Sequence, residues 1–279
     1  MATFMSMETG RQFESAPVVS AWGACPSVGS REALEQYLWA LESSISIQQA
    51  LLPEQLPTMT GIELSLRYLP KMGVSGDYYD FLPLYEGQIG LAIGDVCGKG
   101  IGAALLRASL CFVFRAQAQA NSLTIEELLA CLNRFVYHNT PEGKFVTLIY
   151  GIWDSSTHKF TYSSAGHPPA LHYQATTRRV RELKAGGMVL GVCEGVEYSA
   201  ESVPLEMGDA LVLYTDGITE ATDASDEVFG RDRLSKILAA YGEESSEALT
   251  KSILTAASSF AHQGWEDDVT LIVIKRIGD

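Results

Sequence analysis

The hydrophobic and polar positions of this chain change period several times, which predicts a mixture of helices and strands. Between residues 31 and about 52 the apolar residues alternate between four- and three-residue spacing, which is typical of one long helix that Pro53 ends. The apolar seam of this helix consists of Leu34, Leu38, Leu41, Ile45 and Leu52. Gln48 fills the remaining seam position. The seam is short for a coiled coil, so it either packs on its own domain or pairs with a second copy, in which Gln48 would set the register.

Beyond Gly61 the strand and helix patterns come in clusters and do not alternate strictly. Thr124 and Glu127 form a capping box at the start of one predicted helix. The other predicted elements are a strand from Ile62, a strand at Gln88–Val96, a helix at Ile101–Ala120, hairpins around 154–157 and 174–177, a strand at Ala210–Tyr214, helices near 231–241 and 246–262, and a last strand at 269–274. Clustering of this kind favours antiparallel sheets with helices on their outer faces.

Four segments place an aspartate at the end of an apolar stretch. They are Ser75-Gly76-Asp77, Gly94-Asp95, Asp216-Gly217 and Asp267-Asp268. One such aspartate alone is typical of a turn, but several at strand ends favour a single convergent site. Carboxylates gathered without enough lysines or arginines repel one another. The natural counter-charge is therefore a hard divalent cation bound by oxygen.

The composition excludes several classes of function. The chain has 279 residues, 47% of them hydrophobic, which is enough for one large core. A formal net charge of −14 argues against binding to nucleic acid, whose phosphates require a basic surface. We expect no signal peptide and no membrane-spanning segment. Five scattered cysteines without a CxxC pair argue against disulfides and zinc, and favour a cytoplasmic location.

Three other features have structural explanations that are at least as good as catalytic ones. Gly98-Lys99-Gly100 is similar to a phosphate-binding turn but lacks the full Walker spacing. His167, between a glycine and two prolines, is interpreted as an oriented turn histidine and not as a base. Cys97 has no evident histidine partner, so we expect a small buried thiol and not a nucleophile.

Seven segments, taken together, resemble the SpoIIE/RsbU branch of the metal-dependent serine/threonine phosphatases, which are relatives of the type-2C phosphatases. The segments are Ile47-Gln48-Gln49-Ala50-Leu51-Leu52-Pro53, Ser75-Gly76-Asp77-Tyr78-Tyr79-Asp80-Phe81, Gly94-Asp95-Val96-Cys97-Gly98-Lys99-Gly100, Phe145-Val146-Thr147-Leu148, Ala165-Gly166-His167-Pro168-Pro169, the stretch 208–221 and Asp267-Asp268-Val269-Thr270-Leu271. They occur in the family's order over about residues 45–275. Ser75 and Cys97 stand where the family often has glycine and serine, and neither change removes a carboxylate.

The resemblance implies an α+β fold, a four-layer α-β-β-α sandwich, with two Mn²⁺ or Mg²⁺ ions at one end. By position in the motifs, Asp95 bridges both ions. The residues matching the ligands of the first ion are Asp77 and the carbonyl of Val96, and those matching the ligands of the second are Asp216 and Asp267. Asp268 is a further candidate ligand and ranks below Asp267 in that role. The implied catalytic set is Asp77, Asp95, Asp216 and Asp267.

The predicted organisation is a flexible tail at 1–30, a linker or dimerisation helix at 31–56 and a catalytic domain at 57–279. The resemblance implies a phosphoserine or phosphothreonine substrate on a signalling partner, an anti-sigma-factor antagonist. From the helix seam we expect a homodimer, with neither nucleic acid nor membrane as a partner. Two alternatives remain open: a catalytically silent phosphatase-like scaffold, and a nucleotide cyclase, because residues 75–81 resemble a diguanylate cyclase hairpin.

Overall fold

The structure, a computed structural model, describes residues 31–85, 87–120 and 122–278. The predicted tail at 1–30 lies outside the described residues. The chain separates into two units, 1–43 and 44–279, and the boundary falls inside the first helix. The second unit contains every strand and every candidate site residue described below. The predicted boundary between residues 56 and 57 stays a prediction.

The described elements follow the sequence pattern closely. The helices are α1 (Arg31–Ala50), α2 (Ile101–Ala120), α3 (Ile125–Asn139), α4 (Asp216–Thr219), α5 (Gly230–Tyr241) and α6 (Ser246–Phe260). The strands are β1 (Ile62–Leu69), β2 (Tyr78–Pro83), β3 (Gln88–Val96), β4 (Val146–Asp154), β5 (Lys159–Ala165), β6 (Ala170–Gln174), β7 (Arg179–Leu183), β8 (Gly186–Gly187), β9 (Glu201–Pro204), β10 (Ala210–Tyr214) and β11 (Val269–Arg276). Both bonds of the predicted Thr124–Glu127 capping box are present at the start of α3.

The strands form two sheets. The first sheet has the order β1-β11-β10-β6-β7, and the second has the order β2-β3-β4-β5-β8, with β9 also paired to β5. All pairings are antiparallel except that between β5 and β8. The predicted hairpins are the β4–β5 and β6–β7 pairs.

The two sheets pack face to face with helices outside them, because the strands alternate their apolar side chains between the two faces. Along β11, Ile272 and Ile274 point into the core between the sheets. Leu271 and Val273 point the other way, into the core beneath α5 and α6. Helices α2 and α3 cover the second sheet in the same manner. This period-two alternation produces the four-layer α-β-β-α sandwich and confirms the predicted fold class.

Helix α2 is long and apolar enough, by length and composition alone, to cross a membrane. One of its faces is nevertheless packed into the domain. Leu110 and Phe114 belong to the core under the second sheet, and Arg107 is buried beside them on the same helix. An apolar composition of this kind is also typical of a helix that packs in the core of a domain. The contacts of α2 are those of such a core helix.

A buried ion pair joins α2 to the second sheet. The Arg115 guanidinium donates to both carboxylate oxygens of Asp80, over 2.6 and 3.1 Å. It also donates to the Leu51 carbonyl at the end of α1, over 2.8 Å. The Tyr78 hydroxyl donates to the same carboxylate over 2.7 Å. Asp80 is almost fully buried, so these bonds replace its hydration.

Asp80→Ala is expected to lower the free energy of unfolding by about 3 kcal/mol, near the lower end of the range for breaking a buried pair, because the Arg115 side chain keeps some contact with water. Urea unfolding followed by circular dichroism measures the change. The matched control is Arg178→Ala, which breaks the exposed pair with Glu243 and should cost about 0–1 kcal/mol. Equal costs for the two variants would contradict the importance of the buried pair.

Candidate active site

The antiparallel register of the second sheet brings two of the predicted aspartates to one edge. Asp77 directly precedes β2, and Asp95 is the next-to-last residue of β3. Tyr78 pairs with Gly94 across the two strands. The start of one strand therefore lies beside the end of its neighbour, and the two carboxylates lie at the same end of the sheet.

The first sheet delivers three more aspartates in the same way. Asp216 begins the short helix α4 immediately after β10, and Asp267 and Asp268 directly precede β11. Tyr214, two residues before Asp216, pairs with Leu271. Since β10 and β11 run antiparallel, the end of one and the start of the other share an edge of the sheet.

Hydrogen bonds between the two sheets show that these edges meet. The buried carboxylate oxygen Oδ2 of Asp77 accepts from the Thr215 hydroxyl over 2.8 Å and from the Thr270 hydroxyl over 2.6 Å. Thr215 follows β10 and Thr270 lies in β11, so both donors come from the first sheet. The structure thus brings together the predicted aspartates of both sheets.

Asp268 makes a second link between the sheets. Its carboxylate accepts from the backbone N–H of Gly76 over 3.1 Å and from that of Lys71 over 2.7 Å. Gly76 also lies close to the end of β3, because a Cβ atom there would be 2.8 Å from the Val96 carbonyl oxygen and 3.0 Å from Oδ1 of Asp95. Only glycine allows this approach without a shift of the backbone.

Burial and mutual repulsion raise the pKa values of three of the clustered carboxyl groups. Burial, followed by the charges of the other four aspartates, raises the pKa of Asp95 to about 8. Burial raises the pKa of Asp77 to about 7, against the lowering effect of its two threonine donors. Burial and the charge of Asp267 raise the pKa of Asp216. Each carboxylate is therefore costly to hold in its charged form next to the others.

Among the described residues, two lysines bring positive charge to this edge, and Lys71 Nζ donates to the Glu266 carbonyl over 2.6 Å. Lys99 Nζ lies 2.8 Å from Oδ2 of Asp267 and donates to the Glu266 carbonyl over 3.0 Å. The segment around Lys99 connects β3 to α2, as the sequence interpretation of a strand-to-helix turn predicted. It places the Lys99 ammonium group beside the cluster. Among the described residues only Lys99 forms an ion pair with one of the five aspartates, so most of the negative charge is not neutralised by a direct partner.

The donor set fits a hard divalent cation. Its candidate ligands are carboxylate and carbonyl oxygens, which Mg²⁺ and Mn²⁺ prefer, and include none of the sulfur or imidazole groups that are typical of zinc sites. In the part of the chain that the structure describes, no three histidine, cysteine, aspartate or glutamate side chains converge on one point as a complete ligand set. The fit therefore rests on the chemistry of the donors and their uncompensated charge.

A cavity of about 420 Å³ opens beside the cluster. Its lining residues are Asp95, Thr147, Gly166, His167, Pro168, Pro169, Asp216, Thr219, Glu220, Gly230 and Arg231. His167 forms part of the wall as a neutral group, because burial lowers its pKa to about 3. Its Nε2–H donates to the Tyr214 carbonyl over 3.1 Å, so its Nδ1 accepts from the Thr147 hydroxyl over 2.9 Å. These contacts match the predicted turn histidine.

Comparisons with known proteins agree with this arrangement. The family description of Stage II sporulation protein E (SpoIIE) matches residues 85–277. The chain belongs to the SpoIIE family. It is 32% identical over 236 residues to the phosphoserine phosphatase RsbU of Bacillus subtilis, an alignment that covers 85% of this chain and 70% of RsbU. Membership in the SpoIIE family, together with this relative, supports a protein phosphatase and confirms the predicted class of enzyme.

Two solved structures resemble the fold described above. A structure of the RsbU and RsbW domains of a Mycobacterium tuberculosis protein is 28% identical, with a TM-score of 0.67 over 78% of this chain and 62% of that longer chain. The SiaA-PP2C domain of Pseudomonas aeruginosa has a TM-score of 0.76 at 19% identity, over 88% of this chain and 98% of that domain. The second likeness concerns the fold alone.

Several residues of the site were not singled out from the sequence. Thr215 directly precedes Asp216, and Thr270 follows Asp268 by two residues. This closeness to the motif aspartates was the sequence signal that could have identified them. Glu220 lines the cavity, and burial and the charge of Asp216 raise its pKa. Gln48 was assigned to the helix seam, but its side chain is buried against the segment that leads to Asp77. Cys97, expected to be buried, is partly exposed.

Gly76→Ala is expected to lower the free energy of unfolding by about 1–3 kcal/mol, because its Cβ atom would overlap the Val96 carbonyl. Hydrolysis of p-nitrophenyl phosphate should fall with it, since the same shift moves Asp95. Chemical unfolding and initial rates measure the two effects. The matched control is Gly102→Ala in α2, where a Cβ atom meets nothing within 4 Å, and stability should change by at most about 1 kcal/mol, in the favourable direction. Indistinguishable variants would contradict the close approach.

Proposed function

We propose that this chain is a metal-dependent protein serine/threonine phosphatase that hydrolyses phosphoserine or phosphothreonine with a metal-activated water. The observation that carries the proposal is the meeting of five aspartates from two sheets, Asp95 among them, of which Asp267 alone has an ion-pair partner among the described residues. Divalent cations relieve such repulsion and need oxygen ligands of this kind.

The proposed ligands fall into two groups, one for each ion. Asp77 and the Val96 carbonyl would hold one Mn²⁺ or Mg²⁺ ion, Asp216 and Asp267 the other, and Asp95 both. Asp268 keeps its lower rank in this proposal, and its two oxygens accept from the backbone N–H groups of Lys71 and Gly76. Asp77 is held in place through Oδ2, which leaves Oδ1 for a cation.

The chain itself supplies positioning and charge. When bound, the ions would supply a hydroxide near neutral pH and neutralise the phosphoryl oxygens. The cavity beside Asp95 and Asp216 offers room for a phosphorylated side chain, and Arg231, which also pairs with Glu182, lines its wall. His167 holds the Tyr214 carbonyl, and with it the end of β10 that leads to Asp216. No side-chain nucleophile is required.

The proposed substrate is a phosphorylated anti-sigma-factor antagonist in a partner-switching pathway. Support comes from the name of RsbU, a phosphoserine phosphatase, and from the solved protein that carries RsbU and RsbW domains in one structure. We propose a cytoplasmic location, since Cys97, Cys111, Cys131 and Cys193 are free thiols. Neither nucleic acid nor membrane is a proposed partner.

We further propose that α1 forms a homodimer. Leu34 and Leu38, both seam residues, are 58% and 47% exposed, and Trp39 beside them is 71% exposed. Pairing with a second copy would remove this apolar surface from water, and each buried aliphatic side chain would contribute about 1.5–3 kcal/mol. Gln48 takes no part in this seam, because its amide is bonded within its own chain.

Asp95→Asn and Asp216→Asn are each expected to reduce the hydrolysis of p-nitrophenyl phosphate and of a phosphorylated antagonist by at least about 100-fold, because each change removes a proposed metal ligand. Chelation should abolish activity of the unaltered protein, and Mn²⁺ should restore it. The control is Asp154→Asn, which should keep full activity. Asp154 lies at the end of β4 that is distant from Asp95, because Asp95 pairs with Thr147 at the start of that strand. Activity of both site variants within a few-fold of the unaltered protein would disprove the proposed metal site.

Leu34→Glu combined with Leu38→Glu is expected to convert a dimer into a monomer, because it places four charges in the paired seam. Sedimentation velocity at micromolar concentrations measures the change. Met207→Glu, which alters an exposed apolar residue elsewhere, is the control and should leave the dimer intact. An unaltered protein that stays monomeric at high micromolar concentration would refute the dimer.

A further inference from the structure

Gln48, in the last turn of α1, is bonded to the backbone of Ser75 by a reciprocal pair of hydrogen bonds. Its Nε2 donates to the Ser75 carbonyl over 2.8 Å, and its Oε1 accepts from the Ser75 N–H over 2.9 Å. Gln48 is 5% exposed and Ser75 is fully buried. A side-chain amide carries N–H donors and an acceptor oxygen side by side, so it pairs with both backbone polar groups of one residue as a neighbouring strand would.

Ser75 begins the three-residue segment that leads into the cluster. Its hydroxyl accepts from the Asp77 N–H over 3.0 Å, which fixes the turn into Asp77. The Gly76 N–H between them donates to Asp268 over 3.1 Å. The Gly76 carbonyl accepts from the Val96 N–H over 3.3 Å. The segment is thus held on one side by the candidate site and on the other by Gln48.

The same turn of α1 is fixed at a second point. Arg115 donates to the Leu51 carbonyl and binds Asp80, which lies three residues beyond Asp77. Ile45 contacts the preceding loop, since a Cβ atom at Gly73 would lie 2.6 Å from its Cδ1. The end of α1 therefore holds the chain both before and after Asp77, and motion at this end is resisted on both sides.

We infer that Gln48 is a positioning residue for the proposed metal site, which it orders by fixing the backbone of Ser75 and through it Gly76 and Asp77. The inference rests on the proposed function. Loss of the amide would leave a buried N–H and a buried carbonyl unpaired, so the segment would shift to regain partners. Groups that orient metal ligands typically change metal affinity by about 10–100-fold when they are removed.

The test compares Gln48→Met, which keeps the length of the side chain and removes both hydrogen bonds, with Gln48→Glu, which keeps only the acceptor. Titration calorimetry with MnCl₂ measures ion affinity directly, and urea unfolding without metal measures stability. We expect Mn²⁺ binding to weaken at least about tenfold in both variants. At saturating Mn²⁺ the kcat for p-nitrophenyl phosphate should return to within about threefold of the unaltered protein, because the ligands themselves are intact. Gln49→Met, an exposed neighbour in α1, is the matched control and should change neither quantity.

Two results would overturn the inference. Mn²⁺ affinity within about twofold of the unaltered protein in Gln48→Met would show that the segment is ordered without the amide. Loss of cooperative unfolding in both variants would make Gln48 a residue of general stability alone. If the unaltered protein binds no Mn²⁺ and tolerates chelation, the proposed function itself fails, and the inference fails with it.

Discussion

The arrangement of the two sheets at the site depends first on the carboxylate of Asp77. The apolar interface between the sheets is large, but burial of apolar area has no direction and does not by itself fix how one sheet edge lies over the other. The hydroxyls of Thr215 and Thr270, 138 and 193 residues away in the chain, aim at one oxygen of Asp77. Hydrogen bonds lose strength quickly with angle and distance, so they select one alignment.

The same edge carries a conflict between stability and chemistry. The fold concentrates carboxyl groups at this edge, although burial and mutual repulsion disfavour their charged form. The raised pKa values of Asp77 and Asp95 show this cost. A core optimised for stability alone would place apolar or paired residues at these positions. Strain of this kind, offset by the packing of three separate apolar cores, is typical of functional sites.

The sequence predicted those features whose cause is local. Helix α2 has the predicted bounds, the Thr124 cap is present, and the β4–β5 hairpin turns where the polar run of 154–157 indicated. Features with a distant cause were missed. Strands β8 and β9 are short and exist through pairing with β5, and the partner of Gln48 lies 27 residues further along the chain. The candidate site aspartates were predicted from their strand-end positions and from motifs that resemble a family, while the contacts of Thr215, Thr270 and Gln48 required the fold.

The position of β11 in the first sheet has a consequence for biosynthesis. This strand is the last element of the fold, yet it lies between β1, the first strand, and β10. A ribosome that has completed α6 has made neither the inner strand of that sheet nor Asp267 and Asp268. Chains fold as they emerge, from the N-terminal side first, but this sheet closes only when its final strand arrives. An unfinished chain would expose the edges of β1 and β10 and would be a substrate for chaperones before it could act as a catalyst.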